Sequence, residues 1–224
     1  VYVNDEFAGS CPHGYTDFSV ELTPFLNYGV ENEIKVLCKM HMDSRWYPGL
    51  GIYRNVYLHI DDPVHIKNDG VKIRVEDITE GAVLTVETQV ENRMYQTAYT
   101  RVLCSVADAD GKTVAASSAP LTVYGNGEDK ISQRIYIKDA KLWDTENPYL
   151  YQIKVELTEE DTEEKRKLDQ EEFAYGIRML SLDTENGFRV NGKKVLIRGA
   201  CVHHDNGPIG SAAIDRAEER RVQL

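Results

Sequence analysis

The chain has 224 residues, 42% of them hydrophobic and 28% charged, which is ordinary for a globular protein with one large domain or two small ones. No run approaches the roughly 20 apolar residues that a membrane helix needs. The formal net charge of −11 argues against nucleic acid or an anionic membrane as partner, because either would favour clustered Lys and Arg. A neutral ligand such as a sugar is compatible with this charge.

Four cysteines are scattered along the chain without any CxxC spacing. They are Cys11, Cys38, Cys104 and Cys201. This spacing favours neither a zinc site nor a disulfide framework, so we predict buried free thiols. The chain begins at Val1, inside a strand-like stretch and without an initiator Met or a signal peptide. We therefore expect a piece of a longer protein, whose compartment stays unknown, with the bacterial cytoplasm and periplasm as candidates.

Residues 1–61 alternate apolar and polar side chains, the pattern of half-buried strands. Val1–Val3 followed by Asn4-Asp5 predicts a strand and a turn. Three further runs are predicted as strands, namely Phe18–Leu22, Glu33–Met42 and Ile52–Ile60. The segment between the last two, Met42–Leu50, is rich in turn formers and aromatic residues.

Residues 62–175 contain seven strand-like runs separated by turn signals such as Gly125-Asn126-Gly127. The predicted strands are Val71–Ile78, Val83–Val90, Thr97–Ala107, Thr113–Val123, Lys130–Ile137, Tyr149–Leu157 and Lys167–Phe173. Seven short strands in about 100 residues are typical of an immunoglobulin-like sandwich. The charge run Glu159–Arg166 between two of them is interpreted as a solvated hairpin tip, since a calcium loop would need a Gly that this run lacks.

From residue 176 onward, the strand pattern leads into a loop with chemically active side chains. Gly187–Val190 and Val195–Ile197 flank Asn191-Gly192, the strongest short hairpin signal. Cys201, His203, His204 and Asp205 then follow the second strand, where α/β barrels place their sites. Ile214–Leu224 is predicted as a helix because its acidic residues come early and its arginines late.

Several blocks of this sequence occur in the same order in a known family. They are Arg45–Arg54 (RWYPGLGIYR), Leu142–Tyr151 (LWDTENPYLY), Gly176–Arg178 (GIR), Asn191–Lys193 (NGK), Arg198-Gly199 and His203–Gly207 (HHDNG). The chain resembles glycoside hydrolase family 2, which contains β-galactosidases, β-glucuronidases and β-mannosidases. The HHDNG loop is similar to the β-galactosidase version.

This resemblance implies a mainly β chain with three parts. Residues 1–61 would be the C-terminal part of a jelly-roll, sugar-binding-type sandwich, residues 62–175 an immunoglobulin-like β-sandwich, and residues 176–224 the incomplete beginning of a (β/α)8 TIM barrel. A jelly roll without its earlier strands has unpaired edges and exposed apolar surface. We expect residues 1–61 to be poorly ordered, paired with another copy in a homo-oligomer, or otherwise covered.

The resemblance also implies where catalysis takes place. Retaining glycosidases use two carboxyl groups about 5–5.5 Å apart, one as nucleophile and one as acid/base. In the family both are Glu residues on later barrel strands, which would lie beyond Leu224. The pair Asn32-Glu33 precedes a sandwich strand and does not match the family's acid/base motif. We therefore name no catalytic residue, expect the 224-residue chain alone to be inactive, and find no cofactor ligands, although Mg or Na could assist the full-length enzyme.

Two residues are candidate substrate contacts by resemblance. His203 takes the place of a His that borders the sugar pocket in β-galactosidases, and Asp43 lies in a sandwich loop that leans toward the same pocket. Sugar hydroxyls favour planar donors and acceptors on rigid loop ends. The alternatives are a loop stabilised by a local Asp205 hydrogen bond and, less favoured, a metal site formed by His203, His204 and Asp205.

Three functions compete on this evidence. The first is part of a retaining exo-glycosidase that hydrolyses terminal non-reducing β-D-galactosides. The second is a β-glucuronidase or β-mannosidase of the same family. The third is a non-catalytic carbohydrate-binding or scaffold protein built from the same sandwiches.

Overall fold

The computed structural model describes residues 1–14, 16–39, 51–52, 54–160, 165–199, 201, 212 and 214–223. The chain divides into two compact units. The smaller unit comprises Val1–Tyr57 with Gly199–Leu224, and the larger unit comprises Leu58–Arg198. The domain bounds expected from the sequence, 1–61, 62–175 and 176–224, stay a prediction.

The smaller unit contains one small antiparallel sheet of order β2-β1-β3. Its strands are β1 (Tyr2–Val3), β2 (Glu6–Phe7) and β3 (Ile34–Lys35). The predicted turn Asn4-Asp5 joins the first two strands, and both residues have positive φ angles. A 3₁₀ turn covers Thr23–Phe25.

Three strand predictions in this segment are wrong as made. Phe18–Leu22 forms no strand, Glu33–Met42 has strand only at Ile34–Lys35 among its described residues, and the described part of Ile52–Ile60 has none. Alternation of side chains alone does not make a strand, because the backbone groups must also pair with a neighbour. The expected exposed apolar surface is present, since Val56, Tyr57 and Leu37 are 75%, 73% and 61% exposed.

The helix α1 spans Asp215–Gln223, which confirms the helix predicted at the end of the chain. Asp215 and Glu218 lie in its first turn and Arg220 and Arg221 in its last, as the helix dipole favours. Its role as the first helix of a barrel stays a prediction. Among the described residues, no helix is both long and apolar enough to cross a bilayer.

Seven long strands form the larger unit's sandwich and confirm the immunoglobulin-like prediction. They are β4 (Val64–Asp77), β5 (Ala82–Asn92), β6 (Ala98–Ala107), β7 (Thr113–Val123), β8 (Gly127–Ile137), β9 (Tyr151–Glu159) and β10 (Lys167–Tyr175). One sheet has the order β4-β5-β8 and the other β10-β9-β6-β7. The fourth strand of the sandwich, β7, thus belongs to the larger sheet. In constant-type antibody domains the fourth strand lies in the other sheet, beside the fifth strand, which is β8 here.

The core of the sandwich follows directly from period-two patterning. Along β5, every second residue from Ala82 to Asn92 is buried, and the same alternation runs through β6 and most of β9. Because successive side chains of a strand point to opposite faces, this pattern gives each sheet one apolar face. Leu84, Ile137, Ile153 and Leu157 are among the largest fully buried side chains between them.

Strand β4 begins seven residues earlier than the predicted start at Val71. Lys67-Asn68-Asp69-Gly70 reads as a turn, but the structure accommodates it as a register shift between Ile66 and Val71 within one strand. Asp69 takes a positive φ of 56° there. A β-bulge absorbs extra residues without ending the ladder, so a turn-like sequence need not end a strand.

A three-stranded antiparallel sheet follows the sandwich, with β11 (Leu180–Asp183), β12 (Gly187–Val190) and β13 (Lys193–Lys194). Asn191 and Gly192 have φ angles of 50° and 77°, as a type I′ hairpin turn requires. The predicted hairpin is therefore confirmed, but its second strand is Lys193–Lys194 and not Val195–Ile197. Leu196 and Ile197 are 71% and 75% exposed, so no neighbouring strand among the described residues covers them.

The cysteines are all free, but only Cys104 is buried. Cys201 is exposed and Cys11 and Cys38 are partly exposed, so the prediction of buried thiols is wrong for these three. Burial in the sandwich core raises the pKa of the Cys104 thiol to about 12. This thiol therefore stays protonated and packs as a small apolar side chain.

Candidate functional site

The two predicted substrate contacts, Asp43 and His203, lie outside the residues that the structure describes, as do His204 and Asp205. Their roles stay predictions. Among the described residues, no group of three or more His, Cys, Asp or Glu side chains is placed to hold a metal ion.

The pair Asn32-Glu33 has a structural role. The Asn32 side-chain oxygen accepts from the backbone N–H of Asn27 (2.7 Å) and from the Asn4 side-chain amide (2.8 Å). Its amide donates to the carbonyls of Asn27 and Val30. Glu33 forms an ion pair with Lys35 at 3.2 Å. Asn32 thus ties two turns of the smaller unit together.

The described residues include a junction between the sandwich and the sheet that follows it. We call Trp143, Gly176, Ile177, Arg178 and Asn191 the tryptophan junction. The backbone N–H of Trp143 donates to the Ile177 carbonyl (2.9 Å), and the Asn191 side-chain amide donates to the Trp143 carbonyl (2.9 Å). These bonds join the LW block, the GIR block and the NGK block, which lie far apart in sequence.

Asn191, which begins the turn between β12 and β13, also closes the open end of the β11–β12 pair. Its backbone N–H donates to the Met179 carbonyl (2.8 Å), and its side-chain oxygen accepts from the Met179 N–H (2.9 Å). One residue therefore supplies the positive φ of the turn and three hydrogen bonds around it. An aspartate would keep the acceptor here but lose the amide donor to Trp143.

The indole of Trp143 fills the space between Gly176 and Arg178. A Cβ on Gly176 would lie 2.7 Å from Cδ1 of the indole and 2.9 Å from its Cβ, so only glycine fits. The Arg178 guanidinium carbon lies 4.6 Å from the centre of an indole ring. This distance permits a cation–π interaction.

The residues after Trp143 form a tight corner. Asp144 Oδ1 accepts from the backbone N–H groups of Glu146 (2.9 Å) and Asn147 (2.7 Å), and these bonds lower the pKa of the Asp144 carboxyl. The Tyr151 hydroxyl accepts from the Lys141 N–H (2.9 Å). The LWDTENPYLY block thus fixes the entry to β9. The hydrogen bonds of Trp143 and Asn191 hold the strands after residue 178 against the sandwich.

One titratable group stands out that the sequence did not indicate. Glu171 on β10 is partly buried, and desolvation raises the pKa of its carboxyl. Nearby Asp169, Asp69 and Asp61 raise that pKa further, while His59 opposes them. Asp169 itself accepts from the backbone N–H of Ile66 at 2.8 Å, across from β10 to β4. The carboxylates of Asp169, Asp69 and Asp61 therefore repel the charged form of Glu171 at the edge of the sandwich.

We expect Glu171→Gln to raise the stability of the chain at neutral pH. Because the pKa of Glu171 is raised in the folded state, that state binds the proton more tightly, and stability falls as pH rises through this pKa. The gain should fade toward about pH 3, where the carboxyl is protonated in both states. The difference in urea-unfolding midpoint between the variant and the unchanged chain, measured from neutral pH to about pH 3, gives the gain in stability. Glu172→Gln, at an exposed neighbour, is the control, and a loss of stability at neutral pH in Glu171→Gln would contradict the expectation.

Comparison with known proteins gives one family match. The model of the family described as "Glycosyl hydrolases family 2" matches residues 64–178, which cover the sandwich and the first part of the tryptophan junction. A β-galactosidase of Bacteroides ovatus is 34% identical over the whole chain, which spans 26% of that protein. A β-glucuronidase of Formosa agariphila is 30% identical over 89% of the chain, which spans 22% of that protein.

Solved structures agree with these relatives. A glycosyl hydrolase family 2 member from Bacteroides cellulosilyticus aligns over 99% of this chain and 30% of its own, with 31% identity and a TM-score of 0.88. A Bacteroides uniformis β-glucuronidase aligns over 99% of this chain and 28% of its own, with 26% identity and a TM-score of 0.83. The chain thus spans about a fifth to a third of the relatives that it matches.

Proposed function

Since the chain belongs to glycosyl hydrolase family 2, we propose that it is part of a retaining exo-glycosidase that removes β-D-galactosyl units from non-reducing ends. The observation that carries this proposal is the 34% identity to the Bacteroides ovatus β-galactosidase over the whole chain. The HHDNG sequence of His203–Gly207, which is similar to the β-galactosidase version, supports a galactoside as the substrate.

We place the two catalytic glutamates in a part of the protein outside these 224 residues. The chain spans only 26% of the Bacteroides ovatus relative, and no motif in it fits the family's acid/base pair. The mechanism needs a nucleophile and an acid/base about 5–5.5 Å apart, with a covalent glycosyl-enzyme intermediate between two inversions. The residues of this chain would contribute substrate contacts and the framework that holds them.

A β-glucuronidase is the second candidate. It is favoured by the 30% identity to the Formosa agariphila β-glucuronidase and by the likeness to the Bacteroides uniformis enzyme. A glucuronide differs from a galactoside in its configuration at C4 and in carrying a carboxylate at C6, and the carboxylate calls for a cationic partner such as arginine in the pocket. That difference makes the two substrates separable by rate.

The test is the initial rate of the full-length protein with aryl β-galactoside, β-glucuronide and β-mannoside, with the 224-residue chain alongside. We expect the galactoside to be hydrolysed and the 224-residue chain to give no turnover. If the glucuronide or the mannoside is hydrolysed faster, that sugar replaces the galactoside as the proposed substrate. A flat response across the panel would favour a binding or scaffold protein, and hydrolysis by the short chain would contradict the placement of the glutamates.

We expect His203→Ala in the full-length protein to lower kcat/KM for the galactoside about 10- to 100-fold. A sugar hydroxyl that loses its partner in a desolvated pocket costs about 1–3 kcal/mol. His204→Ala is the matched control, and its kcat/KM should stay within about twofold because we assign it no substrate contact. Equal losses in both variants, together with lower melting temperatures, would instead support a loop-stabilising role. Asp43→Asn tests the second proposed contact in the same way.

A further inference from the structure

Two tyrosines project from neighbouring turns at one end of the sandwich. Tyr95 lies in the loop between β5 and β6, and Tyr124 lies in the turn between β7 and β8. Their exposed fractions are 93% and 74%. A single exposed ring is ordinary, whereas two such rings carried on adjoining turns offer a ligand more than one ring face to contact.

The backbones that carry these rings are locked together. The Asn126 N–H donates to the Met94 carbonyl at 2.7 Å. Gly125 packs so closely on the other loop that a Cβ there would lie 2.1 Å from the Tyr95 carbonyl oxygen. Because the two turns hold each other, the rings project from a preorganised base, which lowers the entropic cost of binding.

A buried asparagine anchors the same pair of turns. Asn92 is 1% exposed, and its side-chain amide donates to the carbonyls of Gln96 (2.8 Å) and Val123 (3.0 Å). Its side-chain oxygen accepts from the Met94 N–H at 2.9 Å. One side chain thus joins the end of β5, the following loop and the end of β7.

A shallow depression lies between the end of β5 and the start of β8, next in sequence to both turns. It is lined by Glu91, Asn92, Arg93, Asn126, Gly127 and Glu128. The Glu91 and Glu128 carboxylates can accept hydrogen bonds here and the Asn126 side-chain amide can donate and accept them, whereas the Asn92 amide is already engaged. The nearby cations are already engaged with acids, Arg93 with Glu91 at 3.0 Å and Lys67 with Glu128. An anionic ligand would therefore have to break an existing ion pair.

We propose that this surface, which we call the tyrosine platform, binds a neutral polysaccharide. Sugar rings would stack their C–H faces on Tyr95 and Tyr124, whose ring faces carry partial negative charge. The hydroxyls would exchange hydrogen bonds with the depression, and the lack of a net charge on the ligand agrees with the paired cations and the acidic chain. The ligand class rests on the proposed glycosidase function, and the platform would hold the polymer apart from the residues that hydrolyse it.

The test is affinity electrophoresis of the full-length protein in native gels containing a soluble β-galactan. We expect Tyr95→Ala and Tyr124→Ala each to weaken retardation about fivefold, and the double variant at least about 20-fold, as expected for lost aromatic contacts. Tyr95→Phe and Tyr124→Phe should retain most of the retardation because they keep the rings. Tyr28→Ala removes a similarly exposed ring, 78% exposed, and should change nothing.

Hydrolysis of a small aryl galactoside separates this proposal from the proposed function. The platform variants should leave that rate unchanged. Retardation of the double variant equal to that of the unchanged protein, with aryl galactoside turnover intact, would overturn the platform but not the glycosidase. Retardation that depends on the tyrosines without any turnover would keep the platform and reject the glycosidase. A change of oligomeric state in the double variant, with retardation unaltered, would assign the surface to a second copy and overturn the proposal.

Discussion

Replacing Leu157 by alanine is expected to lower the free energy of unfolding by about 3 kcal/mol. Leu157 is fully buried in the centre of the four-stranded sheet, where it pairs with Val102 on β6 and Asp169 on β10. The loss combines the transfer free energy of the removed methyl groups with the cavity that they leave between the sheets. Urea unfolding followed by circular dichroism measures it as a lower midpoint.

Gln152 provides the control for this experiment because it lies exposed on the same strand. Gln152→Ala should change the free energy of unfolding by less than about 0.5 kcal/mol. A loss below about 1 kcal/mol for Leu157→Ala would contradict the close packing of the two sheets.

Replacing Gly176 by alanine is expected to destabilise the chain by about 2 kcal/mol. The new Cβ would lie 2.7 Å from Cδ1 and 2.8 Å from Cγ of Trp143, atoms near the root of the side chain that cannot simply swing away. The indole would have to leave its place beside Arg178, and the hydrogen bonds of the tryptophan junction would be strained with it. Urea unfolding again measures the effect.

A double-mutant cycle with Trp143→Ala identifies the cause. Trp143→Ala removes Cδ1 and Cγ but keeps the Cβ, which would lie 2.9 Å from the new methyl group, so the steric explanation predicts a cost of about 1 kcal/mol for Gly176→Ala in that background and a coupling of about 1 kcal/mol. Additive losses would contradict the steric explanation and indicate a backbone effect. In the full-length protein, the same variants test whether the junction positions the proposed catalytic part, through kcat/KM for the aryl galactoside.

The sandwich could be predicted because its signal is local. Each strand carries its own alternation of apolar and polar residues, as Ala82–Asn92 does, and turn residues such as those at Gly125-Asn126-Gly127 separate the strands. The hairpin turn was equally readable, since Asn191-Gly192 favours the positive φ angles that it adopts.

Strand bounds were less predictable because pairing is not local. Lys67–Gly70 looks like a turn and is a bulge, while Phe18–Leu22 looks like a strand and forms none. The partner that each backbone finds decides between these outcomes, and that partner is distant in sequence.

The sequence by itself determined two things. Its blocks of motif residues indicated the family, and the alternation of apolar and polar residues along each strand indicated a β-sandwich. The tertiary structure decided what those motifs do. It brought Trp143, Gly176 and Asn191 into one junction and set Tyr95 beside Tyr124's turn, although no pattern within either segment indicates the other. The reason is physical: patterning records which face of a segment is buried, whereas contacts between segments depend on the packing of both sheets together.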